Sequence, residues 1–219
     1  MLTKEETVAA IEVMGEIFPN ATTSLTKTDP FHFMLSVILS AQATDKSVNL
    51  VTPALFARYK TPLELANASR AEVEDYIKTI GLYRNKARFL IKCSQELVAN
   101  FNGEVPQTKK ELMSLSGVGR KTANVVLAEC FGIPAFAVDT HVSRVAKRLG
   151  MVPKTSDVLE IEKILMEKIP QDMWIKAHHR MIFFGRYQCM ARNPKCETCP
   201  LLEICPEGQS RVCINKIRT

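Results

Sequence analysis

Three short stretches of this chain hold residue types that can do chemistry at workable spacing. The first is Leu115-Ser116-Gly117-Val118-Gly119-Arg120-Lys121-Thr122-Ala123, which reads as a tight turn opening a helix. Ala123, Val126, Leu127 and Cys130 follow with helical apolar spacing, so one face of that helix is buried. Gly117 and Gly119 allow positive φ and let another backbone come close. Turn amides at a helix N-terminus make a seat for phosphate. Lys121 falls in the first turn of the helix, where the dipole favours an acid over a cation. A lysine placed near positive helix ends and partly desolvated has a depressed pKa and a more nucleophilic amine. The competing reading is a plain surface lysine, and a Gly-x-Gly alone is common in helix hairpins for steric reasons.

The second stretch is Ala135-Phe136-Ala137-Val138-Asp139-Thr140-His141. Asp139 stands between an apolar run and a helical pattern, the ordinary place for an N-cap. A carboxylate there can also stabilise the cationic, oxocarbenium-like transition state of glycosidic cleavage, or relieve a lysine of its proton. One residue can cap and catalyse. The third stretch is Cys189-x6-Cys196-x2-Cys199-x5-Cys205, four of the seven cysteines in the chain. Such crowding without a secretion signal argues for metal rather than disulfides. Four-cysteine zinc sites usually show two short Cys-x2-Cys pairs, and only one is present, so spacing leaves zinc and iron–sulfur both open. Pro194, Pro200 and Pro206 oppose a helix through these loops. Cys93 and Cys130 sit on apolar helix faces and read as core, while Cys213 lies outside the compact spacing.

The elements that must position these residues are helices. Thr61-Pro62-Leu63-Glu64 places an N-cap, a proline at N1 and a glutamate at N3. Thr3…Glu6, Ser69…Glu72 and Thr108…Glu111 repeat the capping-box spacing. Phe31 to Ser40 reads as a buried helix, and further helical patterns lie near 84–99, 119–131, 157–168 and 172–187. The one extended piece, Ala135 to Val138, is too short to build a sheet. The expectation is an all-α protein of about ten short helices. The acidic start and the interrupted apolar run from Ala123 to Val138 offer neither a secretion signal nor a membrane span, so a cytoplasmic protein is expected. The net charge of +6 is unevenly spread. Lys78, Arg84, Lys86, Arg88 and Lys92 occur with no acid between them, and eight Lys or Arg follow from Lys176 against Glu197, Glu203 and Glu207. Acid-poor stretches of this kind suit a polyanion-facing surface, or simply a solvated face.

Leu115 to Ala123, Val138-Asp139-Thr140-His141 and the four-cysteine spacing, in that order, resemble the endonuclease III family. Its members are bifunctional DNA glycosylases of the helix-hairpin-helix superfamily. Ser40-Ala41-Gln42-Ala43-Thr44-Asp45 and Gly81-Leu82-Tyr83 extend the likeness over the whole chain. Ser116 departs from the pattern, which has proline there; the chemistry should be untouched and the hairpin less rigid. The resemblance implies two helical lobes flanking a DNA-binding cleft. One is a six-helix barrel with the helix-hairpin-helix, residues 23–132; the other joins residues 1–22 and 133–219 around a 4Fe–4S cluster on Cys189, Cys196, Cys199 and Cys205. It further implies that Lys121 attacks the anomeric carbon of a damaged pyrimidine nucleotide, assisted by Asp139, and that strand cleavage follows by β-elimination. Gln42 and Leu82 would wedge into the stack vacated by the flipped nucleotide, with Gly117 and Gly119 on phosphate, and Asp45 and His141 would line the lesion pocket. The implied partner is duplex DNA carrying damaged pyrimidines or abasic sites, and a monomer is expected. The alternatives are an adenine-mismatch glycosylase, which lacks the lysine, and a non-catalytic iron–sulfur DNA-binding protein, which needs neither Lys121 nor Asp139.

Overall fold

A computed structural model describes residues 1–218, with side chains through Cys213. Among the described residues the chain is all-α, with twelve α-helices, two short 3-10 turns and no strand. It divides into two compact units, one formed by Thr23–Ile133 and the other by Met1–Thr22 together with Pro134–Thr219.

The contiguous unit holds α2 (Pro30–Leu39), α3 (Asp45–Arg58), α4 (Pro62–Ala66), α5 (Arg70–Ile77), α6 (Tyr83–Phe101), α7 (Lys109–Leu112) and α8 (Arg120–Phe131). Asp29 starts α2 by accepting the His32 amide proton, and Pro30 sits at N1, where no N–H is needed. Every residue from Phe31 to Leu39 is buried, the mark of a helix surrounded by others. It packs on α3, α6 and α8. Burying Phe33, Leu35 or Leu39 contributes about 1.5–3 kcal/mol each, and all three are at most 2% exposed. Thr61 caps α4 through a full reciprocal box with Glu64. Ser69 precedes α5 but makes no capping hydrogen bond, and the Glu72 side chain is turned toward Arg58 at 2.8 Å instead of back to the cap. Gly132, at φ 63°, ends α8 and lets the Ile133 amide reach the Leu127 carbonyl.

The discontinuous unit holds α1 (Lys4–Ile17), α9 (Thr140–Leu149), α10 (Val158–Lys168), α11 (Trp174–Tyr187) and α12 (Pro206–Arg218). Thr3 and Glu6 close a capping box at the start of α1. Ala10, Ile11 and Met14 of α1 share a core with Val142, Val145, Leu149, Ile161, Leu165 and Phe184. Ala135 to Val138 run extended and buried into α9 without pairing as a strand. No helix among the described residues is long and apolar enough to cross a membrane.

Candidate functional site

The turn between α7 and α8 is held from beneath. Leu115 and Val118 are buried. Gly117 lies between them at φ +82°, and a Cβ there would stand 3.0 Å from Phe89 Cβ and 3.2 Å from Ile38 Cγ2. Only glycine satisfies both the left-handed backbone and this contact. Gly119 differs from expectation: its φ is −88°, so it needs no left-handed freedom. Nothing lies within 4 Å of the place its Cβ would take, so the backbone at the mouth of α8 stands open. Lacking a side chain, Gly119 supplies no capping bond to α8. Lys121 is the second residue of α8 and is exposed, which corrects the expected partial desolvation: this chain alone does not bury it. Ser116 is not left loose by the absence of a proline ring. Its amide donates to Glu96 Oε2 at 2.6 Å and its hydroxyl to Glu96 Oε1 at 2.8 Å.

Gln42 and Leu82 are brought together within the same unit. A Cβ on Gly81 would lie 4.0 Å from the Gln42 carbonyl oxygen, so the loop after α2 and the loop before α6 run side by side. Gln42 at φ 54° and Leu82 at φ 61° are both left-handed. That conformation costs a non-glycine residue about 1–2 kcal/mol. Leu82 also leaves 57% of its surface exposed. Strain and an exposed apolar side chain are both set against stability, which marks a site with another task. Asp45 opens α3 as its first-turn acid and is half-buried. The basic stretch from Lys78 to Lys92 is not uniformly a surface. Lys86 is 4% exposed and its Nζ has no hydrogen-bond partner in the protein, and burial pulls its pKa down. Lys78, Arg84, Arg88 and Lys92 do face outward.

In the other unit, Asp139 is the N-cap of α9, its Oδ1 accepting the Val142 amide proton at 2.8 Å. His141 follows, half-buried. Its Nδ1 stands 3.1 Å from Arg144 Nη2. A guanidinium can only donate, so in this contact Nδ1 accepts when the ring is the tautomer protonated on Nε2. Burial, with Arg144 and Arg186, holds the imidazole below its ordinary pKa against the opposing pull of Asp139. Arg144 also donates to the Gly185 carbonyl at 2.7 Å and, through Nε, to the Cys189 carbonyl at 3.1 Å. Sequence reasoning passed over this arginine and Arg148, though Thr140, Arg144 and Arg148 fall on one helical face at intervals of four.

Cys189, Cys196, Cys199 and Cys205 line a single cavity, with Arg148 and Arg211 also in its wall. None of the cysteines forms a disulfide. Arg148 donates to Cys189 Sγ at 3.5 Å, and the Gly208 amide donates to Cys205 Sγ at 3.2 Å. Arg148 also ties the loop down through the Met190 and Ala191 carbonyls at 2.7 and 3.1 Å. Burial raises the thiol pKa values of Cys196, Cys199 and Cys205, so a cationic centre is what would hold them as thiolates. Among the described residues no three His, Cys, Asp or Glu side chains converge closely enough for one metal ion. Cys93 is fully buried and Cys130 half-buried, both with thiols pushed up to about 12 by burial. Cys213 is exposed and does not line the cavity.

Residues 35–171 match the helix-hairpin-helix superfamily of base excision DNA repair proteins, and residues 189–205 match the iron–sulfur binding domain of endonuclease III. The second match begins and ends on Cys189 and Cys205. Endonuclease III of Bacillus subtilis is 49% identical over 211 residues, covering 96% of each chain. That of Escherichia coli K12 is 41% identical, covering 93% of this chain and 96% of its own. A solved structure of a trapped endonuclease III–DNA covalent intermediate superposes with a TM-score of 0.94 at 51% identity, covering 97% of this chain and all of that one. With the likeness running through the hairpin, the α9 cap and the cysteine loop alike, the chain belongs to the endonuclease III family and is a base excision repair DNA glycosylase with abasic-site lyase activity and a 4Fe–4S cluster.

Proposed function

We propose that Lys121 and Asp139 carry the reaction, and that the substrate is duplex DNA holding an oxidised or otherwise damaged pyrimidine, or an abasic site. The observation that carries this is the placement of Lys121, exposed, directly beyond the open backbone of Gly119 at the mouth of α8. Turn amides at a helix start receive a phosphate, and an amine two residues on is then within reach of that nucleotide's sugar. The neutral Lys121 amine attacks the anomeric carbon, and the bond to the base breaks with its electron pair leaving on the base. Asp139, fixed by its bond to the Val142 amide, stabilises the positive charge that develops on the sugar. Ring opening leaves an iminium between Lys121 and the sugar. Loss of a C2′ proton then expels the 3′ phosphate by β-elimination. Support comes from the relative whose covalent DNA intermediate has been trapped.

Gln42 and Leu82 fill the gap left by the everted nucleotide, and Asp45 and His141 contact the lesion. The cysteine loop fits the cluster, with Cys189, Cys196, Cys199 and Cys205 as its ligands. Bound there, the cluster supplies cross-linking of a segment with little apolar core of its own. The enzyme works on duplex DNA as a cytoplasmic monomer. An adenine-mismatch glycosylase, the nearest enzyme alternative, would have no use for a lysine at position 121.

Borohydride trapping tests the assignment. It reduces the iminium to a permanent crosslink, so the wild-type protein should be captured on abasic DNA. Lys121→Gln should still bind DNA but give no crosslink and no efficient strand cleavage. Undiminished trapping of the Lys121→Gln protein would remove Lys121 as the nucleophile.

A further inference from the structure

We infer that Glu96 is a positioning residue for the hairpin, presetting the Gly117–Gly119 turn for DNA through a two-pronged hold on Ser116. The inference rests on the reading of that turn as the phosphate seat.

Glu96 lies on α6, twenty residues before the turn it holds. Both carboxylate oxygens are used on Ser116, one by the amide at 2.6 Å and one by the hydroxyl at 2.8 Å. Charge-assisted bonds of this kind are short and strong, and a pair of them fixes direction as well as distance. Lys92, one helical turn earlier, approaches Glu96 Oε1 at 3.9 Å from the solvent side. The carboxylate is 23% exposed, so water competes for it only in part. Four successive residues are thereby anchored: Leu115 by burial, Ser116 by Glu96, Gly117 against Phe89 and Ile38, and Val118 by burial again. The next residue, Gly119, is the open one. The fixed part of the turn thus ends where the ligand-facing part begins.

Ordering a loose turn at the moment of binding costs about 1–2 kcal/mol per residue. A turn ordered beforehand spares that cost, which is the general benefit of preorganisation. The charge of Glu96 works in the opposite direction. A carboxylate close to a polyanion repels it, so electrostatics alone says that removing Glu96 should tighten DNA binding. The two roles of Glu96 therefore predict opposite signs.

The test measures affinity by fluorescence anisotropy on a duplex carrying a tetrahydrofuran abasic analogue. Amide hydrogen exchange over residues 116–119 and inside α6 is followed on the same proteins. Glu96→Ala should weaken binding on the order of tenfold, the equivalent of about 1.4 kcal/mol. Exchange should quicken at 116–119, while the α6 amides of Leu90 and Leu97 keep their protection. Glu96→Gln should bind nearly as the wild type does. Its amide oxygen can accept the Ser116 amide proton, and its amide nitrogen can donate to the Ser116 hydroxyl. In a Ser116→Pro background both donors are gone, so adding Glu96→Ala should cost no further affinity. Unchanged hairpin exchange in Glu96→Ala, binding tighter than wild type, or an equal loss in both backgrounds would overturn the hold. Faster hairpin exchange with undiminished affinity would instead overturn the turn as phosphate seat, and with it the premise.

Discussion

Replacing Asp139 by asparagine separates its charge from its capping bond. Oδ1 accepts the Val142 amide proton at 2.8 Å, and an asparagine oxygen can do the same in the same place. The fold should therefore hold, with a thermal midpoint within about a degree of wild type. The lost negative charge should slow release of a damaged base by about 10²–10³-fold, the cost of deleting one preorganised electrostatic group. Asp139→Ala removes the cap as well, which costs about 1 kcal/mol. In a chain of this size that lowers the thermal midpoint by about 2–4 °C. Single-turnover assays on two duplexes, one with a damaged pyrimidine and one with a preformed abasic site, read the chemistry. On the abasic duplex no base remains to be expelled, so Asp139→Asn should keep far more of its activity there. An equal loss on both duplexes would refute charge stabilisation of base release and leave activation of Lys121 as the role of the carboxylate. A large drop in thermal midpoint for Asp139→Asn would refute the separation itself.

Cys199→Ser should deplete iron and acid-labile sulfide and disorder the loop from 189 to 205, whereas Cys213→Ser should leave both contents unchanged; elemental analysis and visible absorption decide it. Gly117→Ala forces a side chain into a left-handed turn already in contact with Phe89 and Ile38, and should cost about 1–3 kcal/mol in denaturant unfolding. Gly119→Ala meets open space and should unfold as the wild type does while binding DNA more weakly. The His141 pKa is lowered in the fold from its ordinary 6.5. The unfolded chain therefore takes up that proton first as pH falls. The stability this group contributes is complete above 6.5, declines as pH drops below it, and levels off once the folded value is passed. An NMR titration of His141 with a midpoint at or above 6.5 would contradict the burial and arginine argument.

What the sequence made legible was local. The capping boxes at Thr3 and Thr61 formed because both partners lie within four residues of each other. At Ser69 the same spacing gives no capping hydrogen bond, and the Glu72 side chain pairs instead with Arg58 on α3, a partner that the capping pattern does not contain. The run Phe31 to Ser40 announced a buried helix by being apolar on every side but for His32 and two serines. The basic run from Lys78 to Lys92 announced a charged face and was wrong at Lys86, because α6 turns that position inward. Spacing left zinc and iron–sulfur both open for the four cysteines, and the likeness of residues 189–205 to the endonuclease III iron–sulfur binding domain separates the two. Long-range polar pairings stayed invisible: Ser116 with Glu96, and Arg144 and Arg148 with the loop after α11. Each joins residues twenty or more apart, and pattern alone does not choose among the many acids and carbonyls available.

The discontinuity of the second unit has a consequence during synthesis on the ribosome. The apolar face of α1, with Ala10, Ile11 and Met14, belongs to a core whose other members all lie beyond residue 135, on α9, α10, α11 and the segments around them. At about 5–20 residues per second, those partners follow roughly 10–30 s behind it. The unit Thr23–Ile133 is meanwhile complete and contiguous, so it can close first and leave α1 waiting with its greasy side bare. When Gly150 and Lys168 arrive they find a ready anchor, since the Leu2 amide bonds to the Gly150 carbonyl at 2.9 Å and the Lys168 ammonium to the Leu2 carbonyl at 2.5 Å. The cysteine loop is made later still, so metal loading cannot begin until the other elements of the unit have been synthesised. A nascent chain stalled once Ile133 has cleared the exit tunnel should accordingly hold one folded unit and one chaperone-binding helix.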